Sequence, residues 1–336
     1  MVATVFLQLA IQYRLNFWSR DFFDAFGRRD GPGLRAAALI FVPLAGSSIV
    51  VAALAVWARM TAQIKWRAWV TEDIIDRWLA NDRFRQLRFP AGEDQNPEYR
   101  IAEDARVATD APIGLTFGLL TALLNAAVFI GILWNVGGDL VVNIYGYNLT
   151  VPKYLVISVA VYSTLLSVVV TIIGRRLIRV YAAKNAAEAQ FRSVGSHLRE
   201  RAKISAVSQG EPEQHNLMNN SLHELLDRWR LLRHQLVRTT LVSHGNVLLA
   251  PVVAWILCAP KYLVGTMSLG DVAQATAAFL TVQTALNWLV DNYPAVADCL
   301  SPVNRVASLL IALDEFDRGE QLQPNNFNSV SDSKLH

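Results

Sequence analysis

Charge is scarce in this chain. Asp, Glu, Lys and Arg make up only 18% of its 336 residues, where a soluble globular domain carries about a quarter. That shortage, set against 53% hydrophobic residues, excludes a soluble enzyme and a disordered chain. Cysteine is nearly absent. Cys258 and Cys299 are the only two, and no CxxC or Cys/His spacing surrounds them, so neither a disulfide framework nor a zinc site is expected. Both read as buried small hydrophobes. No GxxxxGK[ST] phosphate loop occurs, and no GxGxxG, HExxH or GxSxG. No catalytic residue, no cofactor and no metal is therefore expected within these residues. The net charge of +3 comes from interleaved acids and bases, which argues against a nucleic-acid partner. The N-terminus has no basic n-region and no small-residue cleavage site, so no cleavable signal peptide is expected.

What is present is apolar, and it comes in blocks. Five stretches of roughly 19 to 28 residues carry no charged side chain, about the length a bilayer crossing needs. Spans are expected at about 39–57, 113–134, 154–174, 239–260 and 272–290, with a sixth at about 1–17 whose uncharged part, Met1 to Tyr13, is short. Helix is the economical structure for all of them, because lipid satisfies no backbone polar group.

The connections alternate long and short. Residues 59–112 hold nine Lys or Arg and residues 175–238 hold twelve, whereas 135–153 and 261–271 hold one each. Basic residues stay on the cytoplasmic side, so both long connections and both termini are expected there. One connection resists. Residues 18–35 should be external yet contain Arg20, Arg28, Arg29 and Arg35, with Asp21, Asp24 and Asp30 as possible partners.

The long connections have helical spacing. Trp78, Leu79, Phe84 and Leu87 form one apolar set, and Leu222, Leu225, Leu226, Trp229, Leu232 and Leu236 form another. The membrane helices are expected to run on into the cytoplasm, broken near Pro90, Gly92 and Pro97 and again near Gly210 and Pro212. Two hairpin tips at matching places make a docking surface. Residues 317–336 are polar and read as a disordered tail.

Polar residues inside the spans are the candidate site. Gln274, Thr281 and Trp288 recur at sevens in the sixth span, with Gln283 and Asn287 on a nearby face and Ala273, Ala275, Ala277 and Ala278 beside them. This pattern serves either a pathway lining or close helix packing. His244 lies in the fifth span, where an ionisable group suggests a proton relay or a hydrated helix end.

Several runs resemble one family. LNFWSRDFFDAF (residues 15–26), KWRAWVTEDIIDRWLAN (65–81), NPEYRIAEDARVATD (96–110), SLGDVAQATAAFLTVQTALNWLVDNY (268–293) and VNR (303–305) are similar to one branch of ATP-binding-cassette half-transporters. That branch contains the SbmA/BacA-like peptide transporters, related ATPase-fused bacterial half-transporters and the peroxisomal fatty-acyl exporters. The resemblance covers nearly the whole chain and is closest to the ATPase-fused branch.

The resemblance implies an all-α membrane protein: a six-helix exporter-type (type 1) transmembrane domain over residues 1–316, with long cytoplasmic helical extensions. It implies a homodimer in the bacterial inner membrane, working by alternating access. Its docking tips for an ATPase would include Asn96, Pro97, Glu98, Arg100, Glu103 and Asp104 in the first element, and Lys203, Gly210 and Glu211 in the second. Lys203 and Ser208 stand where the family carries an acidic and an aromatic residue. The family's nucleotide-binding domain would follow the sixth span, so ATP is expected to act through a partner domain outside these residues. The expected partners are the lipid bilayer, a second copy and a separate ATPase subunit. Two alternatives stand beside this one. An ATPase-free, proton-driven peptide transporter would use His244, Asp271 or Asp291, and a non-transporting anchor or remnant would keep only the fold.

Overall fold

The computed structural model of the chain describes residues 1–80, 99–144, 147–204 and 211–321. Among them are six long α-helices: α1 (Val2–Gly27), α2 (Gly31–Leu79), α3 (Ala105–Gly137), α4 (Tyr154–Ile204), α5 (Glu211–Leu263) and α6 (Leu269–Gln321). A π-helical turn, Arg100–Asp104, leads into α3. Strands β1 (Leu140–Ile144) and β2 (Tyr147–Val151) form an antiparallel hairpin, with Leu140 opposite Val151 and Ile144 opposite Tyr147. The hairpin was not expected from the sequence.

Five helices, all but α1, are long and apolar enough to cross a membrane. Each exceeds what a crossing needs. The 53 residues of α5 span about 80 Å at 1.5 Å per residue, against about 30 Å of hydrocarbon, so the helices do run on as the sequence suggested. Their apolar windows are only 6% to 28% buried, lowest in α2 and highest in α6. Leu39, Ile49, Ile172 and Leu248 are 75%, 70%, 66% and 70% exposed. Such apolar faces are stable only where lipid is the solvent. Interior prolines at Pro43, Pro112, Pro251, Pro260, Pro294 and Pro302 break single ladder bonds.

The helix boundaries follow local chemistry. Arg29 adopts a left-handed φ of 54° after α1. Asp30 then caps α2, its side chain accepting from Gly33 N at 3.1 Å, with Pro32 in the first turn where its missing N–H costs nothing. The expected external connection of residues 18–35 is thus mostly helix. α1 is 26 residues long, about 39 Å, and the break is only residues 28–30. Ser268 and Asp271 form a reciprocal capping box at the start of α6: Asp271 N donates to Ser268 Oγ and Ser268 N to Asp271 Oδ2, both at 3.0 Å. α6 remains helical to Gln321, five residues into the stretch expected to be a tail; residues 322–336 lie outside the described residues.

The chain divides into two units. The first comprises residues 1–18, 30–127 and 291–336. Its core is a small cluster of Ile74 from α2, Ile101 and Ala105 from the π turn and α3, and Val306, Leu309 and Leu313 from α6. The spacings are helical in each case, with Val70, Ile74 and Trp78 four apart on α2. Where these extensions lie in water, the hydrophobic effect holds them, at about 1.5–3 kcal/mol for each fully buried Leu or Ile.

The second unit comprises residues 19–29 and 128–290. Its frame is the antiparallel pair α4 and α5. Tyr154 OH donates to Leu257 O at 3.0 Å, Tyr162 OH to Asn246 Oδ1 at 2.9 Å and Gln235 Nε2 to Ile173 O at 3.0 Å; Lys184 Nζ lies 4.7 Å over the Trp229 ring. Near the short connections, Lys153 lies over Trp134 and Lys261 over Tyr154, at 5.6 and 5.5 Å, and Lys261 Nζ donates to Gly137 O. Aromatics paired with lysines mark a membrane–water boundary.

Candidate functional site

In the second unit, uncharged polar groups collect on the inner faces of apolar helices. Asn246 of α5 accepts from Tyr162 and, at 3.4 Å, from Gln283 of α6. Asn287 of α6 accepts from Ser167 Oγ of α4 at 2.9 Å. Gln274, Gln283 and Asn287 are 0%, 5% and 6% exposed. Ala275 and Ala278 are buried beside them, small enough to admit a neighbouring helix. The sequence left open a pathway face or helix packing for these residues; within one chain, Gln283 and Asn287 join helices. Thr281 is half-buried and donates to Ala277 O on its own helix. Trp288 is half-buried, and His244 lies exposed on α5.

α4 carries a repeat of hydroxyl side chains that is already visible in the sequence. Ser163, Ser167, Thr171 and Arg175 repeat every four residues along α4, and with Thr164 and Leu286 they line an open groove of about 580 Å³. Ser163 is buried there and, among the described residues, its hydroxyl has no hydrogen-bond partner. The groove offers hydroxyls to a passing solute and a single fixed charge, Arg175, at one end. Among the described residues no cluster of His, Cys, Asp and Glu could hold a metal ion.

The end of α1 docks on the start of α6 in the same unit. Arg20 Nε pairs with Asp271 Oδ1 at 2.9 Å, and Asp24 Oδ1 accepts from Gly270 N at 2.8 Å. This places Arg20, one of the four arginines that resisted the sidedness rule, and Asp24, one of their expected partners. Arg20 pairs with Asp271 rather than with Asp21, Asp24 or Asp30. Glycine is required at 270, since a Cβ there would lie 2.2 Å from the Arg20 carbonyl oxygen.

The first unit holds the other candidate element. Asp104, at the end of the π turn, is 1% exposed. Arg305 of α6 grips it bidentately: Nε donates to Oδ2 and Nη2 to Oδ1, both at 2.6 Å, while Nη1 donates to Ser301 Oγ at 2.7 Å. A bidentate guanidinium–carboxylate pair is strong and fixes direction as well as distance. Arg77 of α2 pairs with Asp314 of α6 at 2.8 Å and with Asp73 at 3.1 Å. Ahead of the apolar run of α3, Arg106 donates to Glu103 at 2.6 Å and holds its carboxyl below the ordinary value. The π turn therefore binds α6 through a core and a charged clamp. π turns recur at functional positions because they re-aim side chains within a helix.

Of the expected docking residues, Glu103 and Asp104 lie in this element, and Arg100 begins it. Lys203 is helical near the end of α4, and Glu211 opens α5. Asn96, Pro97, Glu98 and Gly210 lie outside the described residues. The expectation missed Arg305 as the partner of Asp104, although both stand in the runs that carried the resemblance.

Residues 1–263 match the family described as ABC transporter transmembrane region 2. The chain is 25% identical over 328 residues to the inner membrane ABC transporter ATP-binding protein YddA of Escherichia coli, covering 97% of this chain and 57% of that protein. It is 25% identical to the uncharacterized ABC transporter ATP-binding protein sll0182 of Synechocystis, over 77% of this chain and 37% of the other. It is 22% identical to ABC transporter D family member 2, chloroplastic, of Arabidopsis thaliana, over 96% of this chain and 42% of the other. The chain thus spans about two fifths to three fifths of the length of these relatives.

Proposed function

The chain belongs to the ABC transporter transmembrane region 2 family, and from that premise we propose that it is the permease moiety of an ATP-driven transporter of a bacterial inner membrane. It works as a homodimer by alternating access, on the six-helix exporter plan, with α1 supplying the sixth crossing. ATP hydrolysis belongs to a nucleotide-binding domain outside these 336 residues, fused or separate. The observation that carries the reading is a transmembrane-region match over residues 1–263 on a chain whose helices include five of membrane length.

In this mechanism the π turn beside the first docking tip receives the movement of the ATPase. Asp104 passes it to Arg305 of α6, the helix that also carries Gln274, Gln283 and Asn287. The bonds of Gln283 to α5 and of Asn287 to α4 are the contacts that alternate. Each is weak, about 0.6 kcal/mol on average for polar contacts between membrane helices, which suits contacts that must break every cycle. The hydroxyl face of α4 favours a solute of mixed polarity over a bare ion, because a bare ion needs a counter-charge in the membrane.

The test is gentle affinity purification from native membranes, with mass analysis and an ATPase assay. A nucleotide-binding region in equal stoichiometry, with ATP turnover, is expected. Recovery of this polypeptide alone, with uptake driven by a pH gradient, would replace ATP coupling by proton coupling.

A further inference from the structure

Between α4 and α5, just beyond the apolar run that ends at Gly174, lies a cleft of about 350 Å³. Arg176, Arg179 and Ala183 of α4 line one wall, and Arg228 and Leu231 of α5 the other. The spacing puts each set on one helix face. The helices are pinned on both sides of the cleft, by the Gln235–Ile173 hydrogen bond and by Lys184 stacked on Trp229. Arg176, Arg179 and Arg228 therefore line one space between fixed walls.

Among the described residues neither Arg176 nor Arg179 forms an ion pair, and Arg228 has only Glu224, at 3.9 Å, too long for a hydrogen bond. Two other basic residues of this stretch are neutralised closely, Arg230 by Asp227 and Lys184 by Glu188, each at 2.7 Å. Arginines that share one cleft repel one another, and a bound anion offsets that repulsion. The planar fork of arginine suits a tetrahedral phosphate. The level in the membrane narrows the source. Arg176 follows the apolar run by two residues, about 3 Å along the helix axis, which is head-group depth. Ile172 and Leu231, 66% and 53% exposed, offer apolar surface for a chain attached to the phosphate.

Resting on the proposed membrane transporter, with its long connections on the cytoplasmic side as their basic residues suggest, we propose that Arg176, Arg179 and Arg228 bind the phosphate of an anionic phospholipid from the cytoplasmic leaflet. Bound there, the lipid bridges α4 and α5 and anchors their extensions to the membrane surface. Inorganic phosphate presents the same group without the chain, so the two sources separate by experiment. The protein, purified in non-ionic detergent, is titrated with phosphatidylglycerol or phosphatidylcholine, and bound lipid is counted by native mass spectrometry. Wild type should retain phosphatidylglycerol selectively. The variant Arg176→Gln, Arg179→Gln, Arg228→Gln should bind it at least about tenfold more weakly. The control Arg192→Gln, Arg199→Gln, Arg230→Gln should bind as wild type does. If the triple variant does not fold, Arg179→Lys and Arg179→Gln serve instead, with lysine losing less than glutamine because it keeps the charge without the fork.

Unchanged retention in the cleft variants would overturn the proposal, as would equal loss in the control. Displacement of the lipid by inorganic phosphate would overturn it in favour of a soluble anion. The orientation is checked separately: Arg176→Cys should react with a membrane-impermeant maleimide only in inside-out vesicles. Reaction from the outside would sink the orientation. Selective lipid loss without co-purified ATPase would sink ATP coupling and leave the cleft intact.

Discussion

Removing Arg305 should cost more than removing its partner. The two ends of the clamp differ in solvation, for the Asp104 side chain is 2% exposed and that of Arg305 33%. In Arg305→Ala the carboxylate stays buried and loses two charge-assisted bonds of 2.6 Å at once. A buried charge deprived of its partner costs about 3–5 kcal/mol. In Asp104→Ala the guanidinium keeps Ser301 and reaches water, so only bonds to a charged group are lost, about 1.5–3 kcal/mol. For a chain of this length those energies correspond to roughly 4–7 °C and 2–4 °C in the apparent melting temperature. The assay is thermal unfolding of detergent-purified protein at a fixed scan rate, because unfolding of such proteins is commonly irreversible. The pair Asp104→Leu with Arg305→Met should recover most of the loss, since the site needs a partnered charge or none. Asp104→Ala melting as low as Arg305→Ala, or lower, would refute this account of the clamp.

Gly270→Ala should destabilise strongly and lower expression, because its Cβ would meet the Arg20 carbonyl at 2.2 Å, while Gly131→Ala, with nothing within 4 Å, should be neutral or slightly stabilising; membrane yield and melting temperature compare them. Ser167→Ala and Asn287→Ala should each cost about 0.5–1.5 kcal/mol, and their double-mutant cycle should show positive coupling; strict additivity would mean the hydrogen bond contributes nothing. Leu309→Ala, at 0% exposure in the α2–α3–α6 core, should lose about 2–5 kcal/mol, against no measurable change for Leu300→Ala, which is 56% exposed; equal melting temperatures would contradict the core assignment.

The apolar blocks announced the membrane helices because lipid imposes a length and forbids charge, and both constraints are local. The extensions were legible for a similar reason, since a helical stripe such as Leu222 to Leu236 repeats within a few residues. Contacts between distant positions were not. Arg20 and Asp24 looked like charges stranded in an external connection because Asp271 and Gly270 stand about 250 residues away, and no periodicity announces such a meeting. Asp104 and Arg305 are 201 positions apart. Both lay in recognisable runs, yet a run names a residue without naming its partner. The hairpin at residues 140–151 was hidden by its position between two spans, where a short apolar stretch reads as a connection. The hydroxyl repeat on α4 could have been found, because Ser163, Ser167, Thr171 and Arg175 stand at one helical spacing in the sequence.

The account rests on ATP-driven alternating access by a pair of these chains, and paired spin labels test it most directly. With Cys258 and Cys299, both buried, replaced first, one label is placed at Arg192 on the extension of α4 and another, in a separate variant, at Val264 in the short connection after α5. Double electron–electron resonance then reads the distance between the two copies in the complete, ATPase-bearing transporter. The account predicts a defined distance at both positions, shortening at Arg192 and lengthening at Val264 when ATP and vanadate are added. No dipolar signal, or distances indifferent to nucleotide, would contradict it.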